Sequence, residues 1–265
     1  MERRSDWYSH PKYYEAIFGT DTVQEMDFLL AVNQHHGTGG PLLLEPACGA
    51  GRLVAEAARR GLDIIGYDIS EPMLAHARRR LSPARRRQVR LFQSRMESFS
   101  APELEGRVDL AFNLVSTFRY LDSEAAARSH LESTRRLLKP KGLYALGFHL
   151  TDYARTTRER ERWVGHVGRD TVVCNTREQV PDRRLRRSAM RNRLRISGPG
   201  RDWLIETKWF FRTYDLTQAR RLFRSAGLHL LATYDFDYRM DAPLKRGSDR
   251  LDRVFILQPL PEATP

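Results

Sequence analysis

The sequence predicts an α/β protein in which helices flank a seven-stranded, mostly parallel sheet, with an antiparallel β insertion after the fifth strand. Two patterns predict this fold. Short apolar runs alternate with segments of helical periodicity over most of the 265 residues, and such alternation favours a parallel sheet with right-handed crossovers. One Arg-rich stretch instead mixes apolar and polar residues, which is typical of antiparallel strands with one wet face.

Seven short runs rich in apolar residues predict the strands of the sheet. In chain order they cover residues 42–44, 63–67, 89–92, 108–112, 143–148, 228–236 and 253–257. Four segments between them predict helices, at residues 51–60, 71–81, 122–138 and 215–226. Gly61, Pro140 and Gly227 follow three of these helices, and glycine and proline are common residues at and beyond a helix end.

The same patterns divide the chain into three parts. We expect residues 1–40 to form a helical lid, because helical turns and aromatic residues precede a Gly/Pro break at 36–41. Residues 41–154 and 213–265 are expected to form the α/β domain. Residues 155–212 are expected to form an antiparallel insertion that caps the substrate site. Five of its residues are predicted to face that site: Trp163, Trp209, Phe210, Phe211 and Arg212.

Composition limits the classes of function. The chain has no run of about 18 apolar residues, so a membrane-spanning helix is not expected, and the N-terminus lacks the apolar core of a secretory signal. Cys48 and Cys174 stand apart from any metal-ligand pattern, which favours a cytoplasmic protein without a disulfide framework or bound metal. The net charge of +12 indicates nucleic acid as one partner, but a compositional bias of the genome toward Arg gives the same balance.

A turn with two glycines follows the first predicted strand, in the run Glu45-Pro-Ala-Cys-Gly-Ala-Gly-Arg52. Glycine lets the backbone turn sharply and approach a ligand, and the helix start beyond it offers free N–H groups. Val54 replaces the third glycine of a dinucleotide-binding turn. Glu45 places a negative charge at the strand end, which opposes a pyrophosphate and favours an ammonium group. The turn therefore suits a zwitterionic cofactor better than a diphosphate.

Asp68 ends the second predicted strand, in the run Gly66-Tyr-Asp-Ile69. A carboxylate at this position can accept hydrogen bonds from both hydroxyls of a ribose. The alternative role is to cap the next helix, although Ser70 can supply that cap by itself. Together with the glycine turn, Asp68 predicts a site for a ribose.

These two runs resemble motifs I and II of the class I S-adenosylmethionine-dependent methyltransferases, which have a Rossmann-like fold. The resemblance continues at 113–121, at 137–144, which is similar to the LKPGG signature, and at 215–228, which is similar to the last helix and its AGF step. The aromatic entry at 7–18 resembles that of small-molecule members. The resemblance implies binding of S-adenosylmethionine, with S-adenosylhomocysteine as product.

The resemblance also implies a role for each matching residue. Those of the glycine turn would surround the methionine end of the cofactor, Asp68 would hold the ribose, and Ile69 and Met96 would meet the adenine. Tyr14 would close over the site from the N-terminal segment. The residues assigned to the cofactor are Tyr14, Glu45, Ala47, Gly49, Gly51, Arg52, Asp68, Ile69, Met73, Met96, Asn113 and Leu114.

Two positions depart from the pattern of the family. Ala47 stands where many members have the first glycine, and its methyl group is small. Arg95 stands where an acid usually accepts a hydrogen bond from the adenine amino group. Since arginine cannot accept a hydrogen bond, recognition of the adenine would fall to the backbone, to packing, or to Glu97.

Three residues near the strand ends are candidates for catalysis: His149, Arg119 and Tyr120. Methyl transfer depends above all on alignment of the nucleophile with the methyl group, so the family need not carry a fixed catalytic residue. His149 ends the fifth predicted strand and could act as a general base, or it could bond a backbone carbonyl. Arg119 could hold a substrate carboxylate or phosphate, or form a surface ion pair.

The predicted function is transfer of a methyl group to nitrogen or oxygen of a small-molecule acceptor. Two alternatives stay open. Basic runs at 78–80, 85–87 and 183–195 would suit an RNA or DNA methyltransferase, although 113–116 lack the Asn/Asp-Pro-Pro-aromatic motif of enzymes that methylate nucleic-acid amino groups. Arg95 would suit a non-catalytic, cofactor-binding regulatory protein. The sequence determines neither the acceptor nor the oligomeric state.

Overall fold

The computed structural model describes residues 2–19 and 21–261; Met1, Thr20 and residues 262–265 of the predicted lid and α/β domain lie outside the described residues. The helices are α1 (Pro11–Phe18), α2 (Thr22–His36), α3 (Arg52–Arg59), α4 (Glu71–Arg80), α5 (Glu124–Leu137) and α6 (Leu216–Ser225). The strands are β1 (Glu2–Ser5), β2 (Leu42–Pro46), β3 (Asp63–Asp68), β4 (Val89–Gln93), β5 (Val108–Asn113), β6 (Leu138–His149), β7 (Glu159–Val167), β8 (Asp170–Glu178), β9 (Arg187–Gly198), β10 (Arg201–Arg212), β11 (Leu228–Tyr234) and β12 (Asp252–Pro259).

Seven strands form the central sheet, in the spatial order β11-β12-β6-β5-β2-β3-β4. Strands β4, β3, β2, β5 and β6 pair in parallel, whereas β12 runs antiparallel to both β6 and β11. The predicted seven-stranded, mostly parallel sheet is therefore confirmed. Every residue of β5 is buried, as expected for a central strand that has helices on both faces.

Helices cover both faces of this sheet. On one face, α2, α3 and α4 bury side chains such as Leu29, Leu53 and Leu74. On the other face, α5 and α6 bury Leu131 and Phe223. Full burial of each such side chain contributes about 1.5–3 kcal/mol to stability. Because the helices pack along the faces of the sheet, the carboxyl ends of the parallel strands stay open for a ligand.

Side-chain caps explain where α5 and α6 begin. The Ser123 side chain accepts a hydrogen bond from the backbone N–H of Ala126. At the start of α6, Asp215 and Gln218 form a reciprocal capping box. Each cap contributes about 1 kcal/mol by satisfying an N–H group that has no partner within the helix. Both helices therefore begin within two residues of their predicted starts.

A second sheet of five strands, in the order β1-β10-β9-β8-β7, stands over the open strand ends; we call it the cap sheet. Strands β7 to β10 pair antiparallel in sequence order, as predicted for the insertion. Strand β1 runs parallel to β10 and so differs from the helical lid predicted for residues 1–40. It completes an otherwise open sheet edge, a long-range contact that leaves no local periodic signal.

Two further strands differ from their predicted bounds. Strand β6 begins at Leu138, directly after α5, rather than at residue 143, because the chain pairs with Val108 before its apolar run starts. Strand β7 was not among the predicted strands. Its residues 159–162 are all charged and exposed, so the alternation of apolar and polar residues that marks a half-buried strand is absent there.

Candidate functional site

A cavity of about 1080 Å³ lies between the carboxyl ends of the parallel strands and the cap sheet. Ligands of open parallel sheets bind at this edge. Its walls include all twelve residues that the sequence assigns to the cofactor and all three candidates for catalysis. The fold thus brings together residues that are more than a hundred positions apart in the chain, from Tyr14 to His149.

The turn after β2 places three residues in the left-handed region, with φ of 51° at Ala47, 54° at Gly49 and 74° at Gly51. A Cβ on Gly51 would lie 2.5 Å from the Cβ of Ala77, so only glycine fits there. No atom of the described residues lies within 4 Å of the corresponding point on Gly49. The backbone at Gly49 is therefore bare toward the cavity. The left-handed conformation of Ala47 costs about 1–2 kcal/mol.

Two buried oxygens beside this turn have no hydrogen-bond partner among the described residues: Oε2 of Glu45 and Oδ1 of Asn113. The Asn113 amide is oriented by its Nδ2, which donates to the carbonyl of Pro46 at 2.8 Å. Burial raises the pKa of Glu45 to about 8, although the Arg52 charge lowers it in part. Buried acceptors without partners are rare. A cationic donor that reached these oxygens could satisfy them.

Backbone N–H groups fix the carboxylate of Asp68 at the end of β3. Its Oδ2 accepts a hydrogen bond from Gly49 at 2.9 Å, and its Oδ1 accepts one from Ser70 at 2.8 Å. Burial raises the pKa of this carboxyl, and the backbone donors oppose that rise. Each oxygen keeps a further acceptor site. A diol in the cavity could donate to both oxygens.

The residues predicted to meet a flat ring line the cavity beyond β3. The Ile69 side chain is 57 % exposed, whereas Met73 is buried in α4. Met96 begins a short 3-10 helix after β4. Arg95 forms an ion pair with Glu97 at 2.5 Å. The residue that departs from the family pattern is therefore neutralised by the neighbouring acid.

Tyr14 stands at the N-terminal side of the cavity within a cluster of aromatic rings. Its ring centroid lies 5.3 Å from that of Trp7, 5.5 Å from that of Tyr8 and 4.8 Å from that of Phe18. Burial raises the pKa of Tyr14 to about 12, so its hydroxyl stays a hydrogen-bond donor at neutral pH. The cluster links α1 to the cap sheet through Trp7.

Arg52 begins α3 and is engaged by helix α2. Its Nη1 donates to Oγ1 of Thr22 at 3.2 Å and forms an ion pair with Glu25. These contacts join the two helices beside the glycine turn. Arg52 lines the cavity, and its positive charge lowers the pKa of Glu45.

The segment after β5 places two consecutive residues of the cavity wall in the left-handed region. Val115 and Ser116 have φ of 57° and 67°, and a β-branched residue in this region is an outlier. Ser116 holds the turn in place, since its N–H donates to the carbonyl of Gly147 at 2.9 Å and its Oγ accepts from the N–H of His149 at 3.1 Å. Such strain is common at functional sites. The sequence singled out Asn113 and Leu114 but gave no signal for this strain.

His149 forms a dyad with Asp252. Its Nδ1 lies 2.5 Å from Oδ1 of Asp252, and the two residues are direct partners in the antiparallel pairing of β6 with β12. The hydrogen bond to His149 lowers the pKa of Asp252. The ring of Phe236 lies edge-on to the imidazole at 4.9 Å. A carboxylate on Nδ1 leaves Nε2 to exchange a proton with a substrate, which is the arrangement of a general base with its orienting group.

Arg119 differs from its expected role as a holder of a substrate anion. The residue is 3 % exposed, and its guanidinium donates to Glu178 at 3.1 Å and to the carbonyl of Arg212 at 3.2 Å. Burial lowers the pKa of Arg119. Because the cap sheet supplies both acceptors, the guanidinium is committed to joining the cap to the α/β domain. The sequence could not reveal this pair, whose members are 59 positions apart.

Tyr120 belongs to an aromatic wall of the cavity. Its hydroxyl accepts a hydrogen bond from that of Tyr8 at 2.7 Å. Its ring stacks on Trp209 with centroids 5.8 Å apart and meets Phe211 edge-on at 4.9 Å. Nε1 of Trp209 is buried and has no acceptor among the described residues. The wall thus offers flat apolar surface and one indole donor.

The inward residues predicted for the insertion are partly corrected. Trp163, Trp209 and Phe211 line the cavity, but Phe210 is 53 % exposed on the opposite face. The reason is the two-residue period of a strand, which sends neighbouring side chains to opposite faces. Arg212 is bound instead to Glu124 at 2.7 Å.

Acidic residues missed by the sequence analysis stand at the cap end of the cavity. Glu161 and Glu178 lie on β7 and β8 and face the cavity together with Asp252. Burial raises the pKa of Glu161, and the charge of His149 opposes that rise. The sequence could have indicated part of this group, because acids alternate with arginines in Glu159-Arg-Glu-Arg162. In a strand this alternation places Glu159 and Glu161 on one face.

The described residues contain neither a helix suited to cross a membrane nor a cluster of metal ligands. Within residues 2–19 and 21–261, no helix is both long and apolar enough to cross a membrane. In the same part of the chain, no three His, Cys, Asp or Glu side chains gather as ligands for a metal ion. Cys48 and Cys174 are buried and free.

One family model covers the glycine turn, Asp68 and Asn113. This model, described as a methyltransferase domain, matches residues 43–142. The resemblance found in the sequence is thereby confirmed.

Two curated bacterial proteins match part of the chain, and both carry a provisional methyltransferase name. The one from Geobacillus sp. (strain WCH70) is 30 % identical over 151 residues, which are 56 % of this chain and 55 % of that protein. The one from Bacillus subtilis (strain 168), YqeM, is 26 % identical over 107 residues, which are 40 % and 42 % of the two chains. The chain thus spans about half the length of the curated relatives it matches.

Solved structures match nearly the whole chain. Streptomyces venezuelae DesVI has a TM-score of 0.76 at 18 % identity, over 97 % of this chain and 99 % of its own. The sugar N-methyltransferase KedS8 from Streptoalloteichus has a TM-score of 0.72 at 17 % identity, over 91 % and 89 %. CalS10, an amino pentose methyltransferase from Micromonospora echinaspora, has 0.70 at 16 %, over 92 % and 94 %. At these identities the similarity establishes the fold, including that of the cap sheet.

Proposed function

We propose that this protein transfers a methyl group from S-adenosylmethionine to an amine nitrogen of a small polar acceptor. The observation that carries the proposal is the pair of buried oxygens without partners, Oε2 of Glu45 and Oδ1 of Asn113, beside the glycine turn. They suit the α-ammonium group of a methionine moiety. A dinucleotide would place a negatively charged pyrophosphate there and would leave both oxygens unsatisfied.

The rest of the cofactor fits the neighbouring residues. The fixed carboxylate of Asp68 would accept hydrogen bonds from the ribose hydroxyls. The bare backbone at Gly49 would let the ligand approach without a Cβ in the way. Ile69 and Met96 would pack on the adenine ring, and Tyr14 would close the N-terminal side. The cofactor supplies an electrophilic methyl group on a sulfonium, and these residues bind and orient it.

The cap end of the cavity favours an amine as the acceptor. Glu161 brings a carboxylate to this end, whereas Glu178 is bound to Arg119 and Asp252 to His149. A carboxylate attracts an ammonium group. The aromatic wall of Tyr120 and Trp209 offers a surface on which the face of a sugar ring can pack. Two structural neighbours are named as methyltransferases of a sugar nitrogen or an amino pentose. An amino sugar is therefore our first candidate for the acceptor class.

His149 supplies the proton chemistry that an amine needs. An ammonium must lose a proton before its lone pair can attack, and the imidazole Nε2 would take that proton while Asp252 holds Nδ1. The new N–C bond then forms as the C–S bond breaks, and the electron pair of that bond stays on sulfur. Proton removal by a positioned base contributes about 10²–10⁴-fold to rate.

We further propose that residues 155–212 act as a substrate cap on the α/β domain of residues 41–154 and 213–265. Residues 1–40 would act as a lid, because Tyr8 and Tyr14 join the cavity wall from that segment. The ion pair of Arg119 with Glu178 would keep the cap in register with the strand ends.

The test is a methyl-transfer assay with S-adenosylmethionine that carries a labelled methyl group. A panel of amino sugars is compared with sugars that carry a hydroxyl in place of the amine. We expect label in the amino sugars, together with formation of S-adenosylhomocysteine, and loss of both in Asp68→Ala. Equal labelling of the hydroxyl sugars would overturn the amine assignment. A folded protein that binds no S-adenosylmethionine would overturn the activity itself.

A further inference from the structure

The face of the cap sheet that points away from the cavity is strongly basic. In β7, β8 and β9 the side chains alternate, so that one set faces the cavity and the next set faces outward. The inward set includes Trp163, Glu178 and Met190. The outward set carries seven arginines: Arg160 and Arg162 on β7, Arg177 on β8, and Arg187, Arg191, Arg193 and Arg195 on β9.

Three of these arginines, together with Lys208 of β10, form one row across the sheet, which we call the cationic row. Arg160 pairs in register with Arg177, Arg177 with Arg191, and Arg191 with Lys208 of β10. Side chains directly opposite one another have Cβ atoms about 4.5–5.5 Å apart, and like charges in such positions destabilise a sheet. With strands about 4.8 Å apart, the row spans roughly 15 Å.

Three members of the cationic row form no ion pair with a described residue. Among the described residues, no carboxylate lies within 4.0 Å of the guanidinium of Arg160, Arg177 or Arg191, whereas Lys208 lies 3.3 Å from Glu206. The positive charge of Arg160, followed by burial and the charge of Arg191, lowers the pKa of Arg177.

Two other outward arginines of β9 are paired. Arg193 binds Glu206 at 2.7 Å, and Arg195 binds Asp202 at 3.3 Å. Arg162 contacts the Asn175 amide at 3.4 Å, and the Arg187 guanidinium lies over the Phe210 ring. Among the described residues, the positive charge without an ion pair therefore includes the three arginines of the row, Arg162 and Arg187.

We propose that the cationic row binds the phosphate backbone of nucleic acid, without preference for sequence. Arginine suits phosphate because its planar fork donates two hydrogen bonds to it. A protein partner fits the row less well, because protein interfaces are built on a buried apolar or aromatic centre and the row itself is entirely basic. The next outward positions on one side of the row are polar: Arg162, Asn175, Arg193 and Glu206. On the other side, Phe210 is an exposed aromatic residue.

The position of the row indicates that nucleic-acid binding would occur away from the site of methyl transfer. The row and the cavity lie on opposite faces of the same sheet, so a bound strand would not present its bases to the site beside Asp68 and His149. Nucleic acid would therefore be a docking partner and not the methyl acceptor. A facing copy of this chain would repel, because it would bring a second row of positive charge against the first.

The test is fluorescence anisotropy of a labelled 24-base-pair DNA duplex titrated with the full chain between 50 and 200 mM salt, values chosen because phosphate binding changes steeply over roughly this range. We expect a dissociation constant of about 10⁻⁵ M near physiological salt. The affinity is expected to fall with salt, with a logarithmic slope of about −3, as for three or four neutralised phosphates.

The decisive variant is the triple change Arg160→Gln/Arg177→Gln/Arg191→Gln. We expect it to weaken binding at least about tenfold at low salt and to reduce the slope by about one for each lost phosphate contact. The matched control is Arg85→Gln/Arg86→Gln/Arg87→Gln, which removes the same charge from three exposed residues of a 3-10 helix far along the chain from the row. The control is expected to keep the slope of the unmodified protein.

Three outcomes would overturn the proposal. The first is absence of duplex binding by the folded protein. The second is an equal loss of affinity for the duplex in both triple variants, which would show that binding depends on net charge and not on the row. The third is full displacement of the duplex by an equal charge concentration of poly-glutamate, which would point to an acidic protein partner instead. Titration with S-adenosylhomocysteine checks that each variant is folded and keeps the cavity intact.

Discussion

At one end of the cavity the polar groups lie at the carboxyl ends of neighbouring strands and in the turn after one of them, whereas at the other end they are side chains from distant segments. The first end, around Glu45, Gly49 and Asp68, is held largely by backbone hydrogen bonds. The second end joins His149 to Asp252, 103 positions away, and Tyr120 to Tyr8, 112 positions away.

Under the proposed function, this difference between the two ends explains how proteins with one fold can bind the same cofactor and different acceptors. The cofactor end depends on backbone conformations that few residue types other than glycine can adopt, such as the φ of 74° at Gly51. The second end depends on side chains from several segments, namely the cap sheet, the N-terminal segment and strands β6 and β12. We therefore expect substitutions at one end to leave the function of the other end nearly unchanged.

The largest expected effect of a single side chain on turnover is that of His149. We expect His149→Ala to lower kcat by about 10²–10⁴, because a positioned base contributes this much, and to leave the affinity for S-adenosylmethionine unchanged. Asp252→Asn should cause a smaller loss, since it leaves the base in place but removes its orienting carboxylate. Steady-state kinetics with the amino-sugar acceptor would check both.

The control for this prediction is His166→Ala, which removes an exposed histidine from the outer face of β7. It should keep the turnover of the unmodified protein. If His149→Ala did so as well, the dyad would have no role in proton transfer, and alignment alone would account for the reaction.

A pH dependence is expected at the cofactor end. Burial raises the pKa of Glu45 to about 8 in the empty site, so below that pH the carboxyl holds a proton. An ammonium partner needs the ionised form, and binding must then expel that proton. Affinity for S-adenosylmethionine should therefore rise with pH up to about 8, by at most about tenfold per unit, and level off above it.

Calorimetric titrations at pH 6, 7, 8 and 9 would measure this dependence. Glu45→Gln should bind more weakly at pH 8 and should lose the dependence below it. Glu132→Gln, which removes a surface carboxylate paired with Arg128, should behave like the unmodified protein. If the affinity of Glu45→Gln still rose with pH below 8, a group other than Glu45 would be responsible for the pH dependence.

The smallest expected effect concerns the strain at Ala47. Because its φ of 51° suits glycine, Ala47→Gly should raise the free energy of unfolding by up to about 1 kcal/mol, the relieved strain being offset in part by the entropy of the unfolded chain. Ala55→Gly in the middle of α3 should instead lower it by about 0.5–1 kcal/mol. Denaturant unfolding of both variants would check the opposite signs, and a loss of stability in Ala47→Gly would contradict the account.

The same contrast explains what could be predicted from the sequence. The strands and helices of the α/β domain leave periodic apolar runs, and the glycine turn with Asp68 lies within 24 consecutive residues, Glu45 to Asp68. Local patterns of this kind survive in a single sequence. The prediction therefore reached the fold and named residues that line one cavity.

The acceptor end could not be predicted in the same way. The partners of His149 and Arg119 come from strands that are distant in the chain, and no local pattern indicates which strands will be neighbours. The lone strand β1 is recruited by a free edge of the cap sheet. Phe210 was misplaced because a run of aromatic residues conceals the alternation that decides which side chain faces inward.

The separation of the two ends is tested most directly by calorimetric titration of three proteins with S-adenosylhomocysteine at pH 8. The unmodified protein and His149→Ala should bind with the same affinity. Asp68→Ala should bind at least about a hundredfold more weakly, because the loss of two charge-assisted hydrogen bonds costs about 3 kcal/mol or more. Equal binding by all three proteins, or an equal loss in both variants, would contradict the assignment of Asp68 to the cofactor and of His149 to the acceptor.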